Sequence, residues 1–319
     1  MSTTTSDPTL TVYRRLVRTV NLAPNLGSPN ETGWTIDIDR SHLAACAEHG
    51  FTAIRLLIGL AWHRGEHGLK PDALRRIESI VDDATDEGLA VVVANHRDDV
   101  LTANPDAHLA AAVADVRQVA TVLAGRESSI VFEPLAEPMN ALNPMWNTTA
   151  ALLIDTVREQ DRDRTLMIGP HTRNNARFLG ELSLPETETN LIVGVHHYWP
   201  TTFTMQGETW LGQTELGVPA DWLGTTWDGT ASQQTELRAG FDAIATWSAA
   251  TGRPVCLAEF GTSANADLAS RVRWTRFNRR LAEERGMSWG IWSLGPIFSI
   301  YDLKTRTFDP DLLAALMHH

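Results

Sequence analysis

Eight nearly continuous apolar runs recur along the chain, at residues 17–21, 52–58, 89–94, 129–136, 165–169, 191–197, 254–259 and 288–293. None alternates cleanly between apolar and polar, so each reads as a strand covered on both faces. Between and after them lie segments with apolar residues at helical spacing: 41–49, 72–87, 107–123, 148–160, 174–182, 233–250, 267–285 and 309–317. Their ends are marked in the sequence. Ser41 can cap the first helix, Pro71 opens the second, and Gly50, Gly88, Gly252 and Gly286 follow helix ends. Eight strand–helix units predict a parallel sheet closed on itself, a single (β/α)8 barrel over residues 17–319, with 1–16 as a flexible N-terminal extension. A doubly wound open sheet is the alternative, and it is disfavoured because no Gly-x-Gly-x-x-Gly follows an early strand.

One segment breaks the rhythm. Residues 199–232 are rich in Thr, Gly, Trp and Gln and show no periodicity. Loops of that length inside a compact domain are usually functional, and in a barrel this one sits over the C-terminal face. The polar residues that interrupt the apolar runs also gather at the strands' C-terminal ends: Asn21, Arg55, His96, Glu137, His196 with Tyr198, Glu259 and Trp292. Each alone has a structural explanation, such as a buried ion pair for Arg55 or a core histidine for His96. Nearly one per strand is the pattern of a barrel's active face.

Two of these carry the chemistry. The run Ser129-Ile130-Val131-Phe132-Glu133-Pro134-Leu135-Ala136 leads into Glu137, and Pro254-Val255-Cys256-Leu257-Ala258 leads into Glu259. Carboxylates so far apart in sequence meet only if their strands share a sheet or barrel. A facing pair is what acid-catalysed cleavage of a glycosidic bond requires.

Composition narrows the partners. The chain has 27 basic and 39 acidic residues, a formal charge of −12, and no basic cluster interleaved with aromatics, so nucleic acid and anionic membranes are disfavoured. No run is long and apolar enough to span a membrane, and the first residues do not form a signal peptide, which predicts a cytoplasmic protein. Cys46 and Cys256 read as small core residues rather than a disulfide or metal pair. No metal-ligand spacing such as His-Glu-x-x-His occurs among the 11 histidines, so neither metal nor cofactor is expected. Eleven tryptophans stand against three tyrosines, and Trp34, Trp62, Trp146, Trp199, Trp210, Trp222 and Trp227 fall in predicted loops. Flat aromatic faces suit sugar rings, and a contact to substrate is expected from at least one of Trp199, Trp210, Trp222 and Trp227.

These motifs resemble glycoside hydrolase family 5, the cellulase-like retaining β-glycosidases. Val20-Asn21-Leu22-Ala23-Pro24-Asn25-Leu26-Gly27 resembles the family's first-strand segment, and Ala53-Ile54-Arg55-Leu56 its second strand. Ala94-Asn95-His96 resembles the third strand, Ala136-Glu137-Pro138 the acid/base motif, and His196-His197-Tyr198 its His-x-Tyr. Leu257-Ala258-Glu259-Phe260-Gly261 fits the nucleophile motif, and Trp289-Gly290-Ile291-Trp292 the last strand. The resemblance implies that Glu259 is the nucleophile and Glu137 the acid/base. Arg55 and Tyr198 would donate to Glu259, His196 would hold Glu137, His96 would contact sugar hydroxyls, and Trp292 would floor the cleavage subsite. Asn21, Ala136 and Trp210 complete the implied substrate-binding set, and a β-linked carbohydrate is the implied partner. The expected protonation order is a low Glu259 and a raised Glu137.

One position departs from that pattern. The family carries Asn before the acid/base, where this chain has Ala136, and that Asn binds the sugar 2-hydroxyl. Met205 is a softer departure, at a slot where related sequences often carry His. Alongside the retaining glycosidase stand two alternatives: the same barrel turned to a 2-substituted sugar or another small molecule, and a non-hydrolytic carbohydrate-binding protein.

Overall fold

The computed structural model describes residues 8–26, 38–96 and 98–318. Eight parallel strands close into a barrel: β1 (Arg18–Leu26), β2 (Ala53–Ile58), β3 (Ala90–His96), β4 (Ile130–Ala136), β5 (Leu166–Ile168), β6 (Leu191–His197), β7 (Val255–Phe260) and β8 (Ser288–Ile291). Each strand pairs with its sequence neighbours, and β8 pairs with β1. The predicted fold is the one observed.

The helices follow their sequence signals. In α3 (Pro71–Asp86) the buried residues are Ala73, Ile77, Ile80, Val81 and Ala84, one face at helical spacing, and Pro71 occupies the first turn, where a missing N–H costs nothing. The outer ring continues with α4 (Pro105–Leu123), α5 (Trp146–Arg158), α6 (Ala231–Thr251), α7 (Leu268–Glu284) and α8 (Pro310–Met317), after α2 (Arg40–Glu48). Their apolar faces and the outward faces of the strands form the larger core.

The inside of the barrel forms a second core of small and medium side chains: Ala53, Ala90, Val92, Val131, Met167, Ile192, Cys256 and Ala258. Val12 and Leu16 close it from below. The flexible extension expected over 1–16 is therefore corrected for residues 8–16, while 1–7 lie outside the described residues. Helix α1 (Pro8–Tyr13) and the turn Arg14–Leu16 plug the open floor, where buried apolar contact is available that a free tail would forgo. Tyr13 fixes the plug: its hydroxyl donates to the Val255 carbonyl at 2.6 Å and accepts the Ser288 N–H at 2.9 Å. Cys46 and Cys256 are free and buried, as expected for core residues.

Two further expectations need correction. The helix predicted over 174–182 is a turn of three consecutive left-handed residues, Thr172, Arg173 and Asn174 (φ 57°, 63° and 53°), followed by the 3-10 segment Ala176–Glu181. Loop 199–232 contains short helical turns at Thr201–Thr204, Thr209–Leu211 and Pro219–Trp222.

Candidate active site

Strand register brings the candidate residues together at the C-terminal mouth of the barrel. Asn21 of β1 pairs with Arg55 of β2, His96 of β3 with Ala136 of β4, and His196 of β6 with Glu259 of β7. Bulges aim two of these positions. On β3 and β4, Ala94 pairs with Glu133 but His96 pairs with Ala136, so β4 carries one extra residue. On β7, Leu257 pairs with Trp289 but Phe260 pairs with Ile291, again one residue more than the partner strand. Leu257 and Phe260 both pack outward while Ala258 packs inward, so the bulge turns Glu259 into the barrel where strict alternation would send it out.

The centre is a buried ionic network. The Arg55 guanidinium is 1% exposed. It donates to Glu259 Oε1 at 2.6 Å, Glu133 Oε2 at 2.7 Å and Asn21 Oδ1 at 2.9 Å. The Tyr198 hydroxyl donates to Glu259 Oε2 at 3.0 Å. Glu259 is thus held by a cation on one oxygen and a phenol on the other. Asn21 is fully buried and spends its amide N–H groups on the Ala258 and Ile291 carbonyls. It orients Arg55, and it lies beneath the cleft and not among the residues that line it. Arg55 is likewise buried behind Glu259, and Ala136 is 0% exposed, not at the cleft surface.

Glu137 lies on the open side. Its backbone is left-handed (φ 54°), its N–H donates to Asn174 Oδ1 at 3.0 Å, and its Oε1 lies 3.0 Å from His196 Nδ1. His96 sits between the two carboxylates, its Nε2 3.7 Å from Glu259 and 4.0 Å from Glu137, with its ring 5.5 Å from that of Trp292. One ligand atom each from His96, Glu137 and Glu259 falls within 4.8 Å of the others, so the nearest carboxylate oxygens of the pair are no farther apart than that. Among the described residues this trio is also the cluster compact enough for a metal ion, but Arg55 already supplies a cation there.

Electrostatics reverse the expected protonation order. Burial raises Glu137, but His196, His96 and Arg173, with the imidazoles charged, outweigh it and draw the carboxyl down to about 2. Glu259 sits above the ordinary carboxylate range, through burial and the charge of Glu137, against the pull of His196 and Arg55. The resemblance implies Arg55 and Tyr198 as partners of Glu259 and His196 as the holder of Glu137, but not the added charges of His96 and Arg173 beside Glu137. His196 supplies the largest of the attractions on Glu137, by hydrogen bond and by charge, so that carboxyl holds its proton more readily wherever the imidazole is neutral.

The pair opens onto a cleft of about 880 Å³. Trp62, Trp199, Trp210 and Trp292 line it, with Met205 and Phe298. Trp210 is pinned by its indole N–H donating to Glu208 at 2.6 Å. Trp222 and Trp227 are buried away from the cleft, Trp227 packing on Phe277, and Trp146 is a core residue bonded to the Gly169 carbonyl. Trp34 lies outside the described residues. His197, beside the site in sequence, is a core residue stacked on Trp274, and burial lowers its pKa to about 4.

Glu133, Asn174 and the cleft-lining Arg173 and Arg177 escaped the sequence reading. Glu133 left a signal, a charge inside an apolar run. The other three left none, because a helical pattern there predicts an ordinary surface helix.

The family model described as cellulase (glycosyl hydrolase family 5) matches residues 20–297. Endoglucanase H of Acetivibrio thermocellus is 25% identical over 317 residues, covering 96% of this chain and 33% of that protein. Cellulase/esterase CelE of the same organism is 25% identical over 329 residues, covering 93% of this chain and 39% of that protein. The chain therefore spans well under half the length of these relatives. Among solved structures, Thermotoga maritima Cel5A in complex with cellobiose superposes with a TM-score of 0.91 at 31% identity, covering 98% of this chain and 100% of that one. The same enzyme in complex with mannotriose gives a TM-score of 0.92 at 31% identity and the same coverage. A family match over most of the chain, on a barrel that superposes throughout, places this protein in glycosyl hydrolase family 5.

Proposed function

We propose that the protein is a retaining β-glycoside hydrolase acting on β-linked glucan-type oligosaccharides or glycosides, in the manner of an endo-β-1,4-glucanase. The observation that carries this reading is the Glu137–Glu259 pair, with oxygens within 4.8 Å across an aromatic cleft. Retaining enzymes hold their carboxyl groups about 5–5.5 Å apart, whereas inverting enzymes leave about 6.5–9.5 Å for a water.

Glu259 attacks the anomeric carbon as its bond to the leaving oxygen breaks, and that oxygen takes the proton of Glu137. Glu137, now a carboxylate, removes a proton from water as that water displaces Glu259 from the glycosyl ester. Arg55 and Tyr198 favour the Glu259 anion at the start and again as it departs. His96 and Trp292 bound the sugar beside Glu259, and Trp199 and Trp210 offer faces for further sugar units. The complexes of Cel5A with cellobiose and with mannotriose support a β-1,4-linked gluco- or manno-oligosaccharide as substrate class here. The intact ion network favours catalysis over mere carbohydrate binding, because a binding protein has no use for Arg55 aimed at Glu259.

The test is kinetic. Glu259→Ala should abolish turnover of every glycoside. Glu137→Ala should lower kcat/KM by about 10²–10⁴ on substrates with poor leaving groups and far less on dinitrophenyl glycosides, with azide restoring turnover of the activated substrate as a β-glycosyl azide. Equal losses on both substrate types, or a first product of inverted anomeric configuration by NMR, would overturn the assignment.

A further inference from the structure

We infer that Asn174, on the turn after β5, is a positioning residue for Glu137 and His196. The inference rests on the acid/base role proposed for Glu137.

Asn174 is 0% exposed, and each half of its amide has a defined partner. The oxygen accepts the Glu137 N–H at 3.0 Å. An N–H donor can meet only the oxygen, so the amide cannot be flipped. Its nitrogen then faces Glu133 Oε1 and His196 Nε2, each at 3.4 Å. The same Nε2 lies 3.4 Å from Glu259 Oε1, and the other ring nitrogen, Nδ1, lies 3.0 Å from Glu137 Oε1. One amide thus holds the backbone of the acid/base and abuts the ring of the histidine that holds its carboxyl. Glu137 needs the first of these, because its left-handed φ of 54° is a conformation that glutamate adopts at a cost.

The surrounding backbone is shaped to admit this side chain. Thr172, Arg173 and Asn174 are all left-handed, and together they turn the amide inward. Gly169, at the end of β5, leaves the space: a β-carbon there would lie 2.4 Å from Asn174 Cγ and 2.5 Å from its Nδ2. Around the amide and its two partners, Arg55 faces in from β2, His96 from β3, Glu133 from β4, Glu259 from β7, Tyr198 from beyond β6, and Arg173 from the turn itself.

Two variants test this, with Glu137→Ala as reference. Asn174→Ala should lower kcat/KM on cellotetraose about 100-fold and on dinitrophenyl β-cellobioside less than about 5-fold, because only the first needs a well-placed proton. Equal losses on the two substrates, or none on either, would overturn the inference. Asn174→Asp keeps size and the acceptor for the Glu137 N–H, so it carries the test if Asn174→Ala does not fold. An ionised aspartate there adds negative charge beside Glu137 and His196, so the alkaline limb of kcat/KM on cellotetraose should move to higher pH than in the parent protein, and an unmoved limb would overturn the inference. If Glu137→Ala itself shows no dependence on leaving group, the acid/base assignment fails instead.

Discussion

Arg55 is the residue on which the site depends most. Three acceptors, two of them carboxylates, converge on one guanidinium that is 1% exposed. Removing one partner of a buried ion pair strands the others in low dielectric, which typically costs about 3–5 kcal/mol. Arg55→Ala should therefore lower the melting temperature sharply as well as abolish turnover. Arg55→Lys should fold better but remain slow, because a compact ammonium cannot reproduce the planar fork that meets Glu133, Glu259 and Asn21 together. Thermal melts and kcat/KM for the two variants check this, and an Arg55→Lys variant with parental kcat/KM would show that charge alone suffices. The buried pair behind Arg55 also explains which strand-end residues lie off the cleft surface. Asn21 and Ala136 sit at strand ends like the catalytic residues, but whether such a residue faces the cleft or the ion network beneath it depends on bulges that single-sequence patterns do not reveal.

At the scale of elements, most of the barrel was legible. All eight strands fall within a few residues of their expected positions, because parallel strands buried on both faces leave long apolar runs. The misses share a cause. The floor helix α1 is too short to show a period, and its Val12 and Leu16 become core only through contact with strands far along the chain. The turn after β5 reads as helix because left-handed residues other than glycine leave no compositional mark. Tyr13 gives the plug a measurable signature. Burial raises its phenol from 10.0 to about 12, with Cys256 adding to the shift and Ser288 opposing it. A phenol that is harder to ionise folded than unfolded contributes stability that is complete below pH 10 and is lost as pH rises towards 12. Two units correspond to about 2–3 kcal/mol. Urea unfolding between pH 9 and 12 should show that decline in the parent protein. Tyr13→Phe should be less stable at pH 9, where two buried backbone partners lose their hydroxyl, but should lack that part of the alkaline slope. A parallel decline in both would remove Tyr13 as its source.

For the whole molecule, the field and the cleft pull in different directions. The formal charge of −12 repels polyanions at long range, whereas Arg173 and Arg177 bring positive charge into a cleft that is also lined by Asp99, Glu137, Glu236 and Glu259. Arg177 stacks over Trp199 at 5.3 Å, so part of its charge lies on the surface offered to a sugar chain. Long-range repulsion is screened within about 10 Å at 0.1 M salt, while a guanidinium in direct contact is screened much less. Carboxymethyl cellulose and a neutral mixed-linkage β-glucan separate the two effects, since both offer β-1,4-linked backbones and the first adds carboxylates. Raising salt from about 10 mM to about 200 mM should increase kcat/KM on carboxymethyl cellulose several-fold and leave the neutral glucan unchanged, because net charge governs the approach of a polymer longer than the cleft. With Arg173→Ala and Arg177→Ala combined, the low-salt rate on the anionic polymer should fall further while the neutral rate holds. If the parent rate on carboxymethyl cellulose instead falls as salt is added, the two arginines outweigh the net charge, and the cleft is built to attract anionic chains.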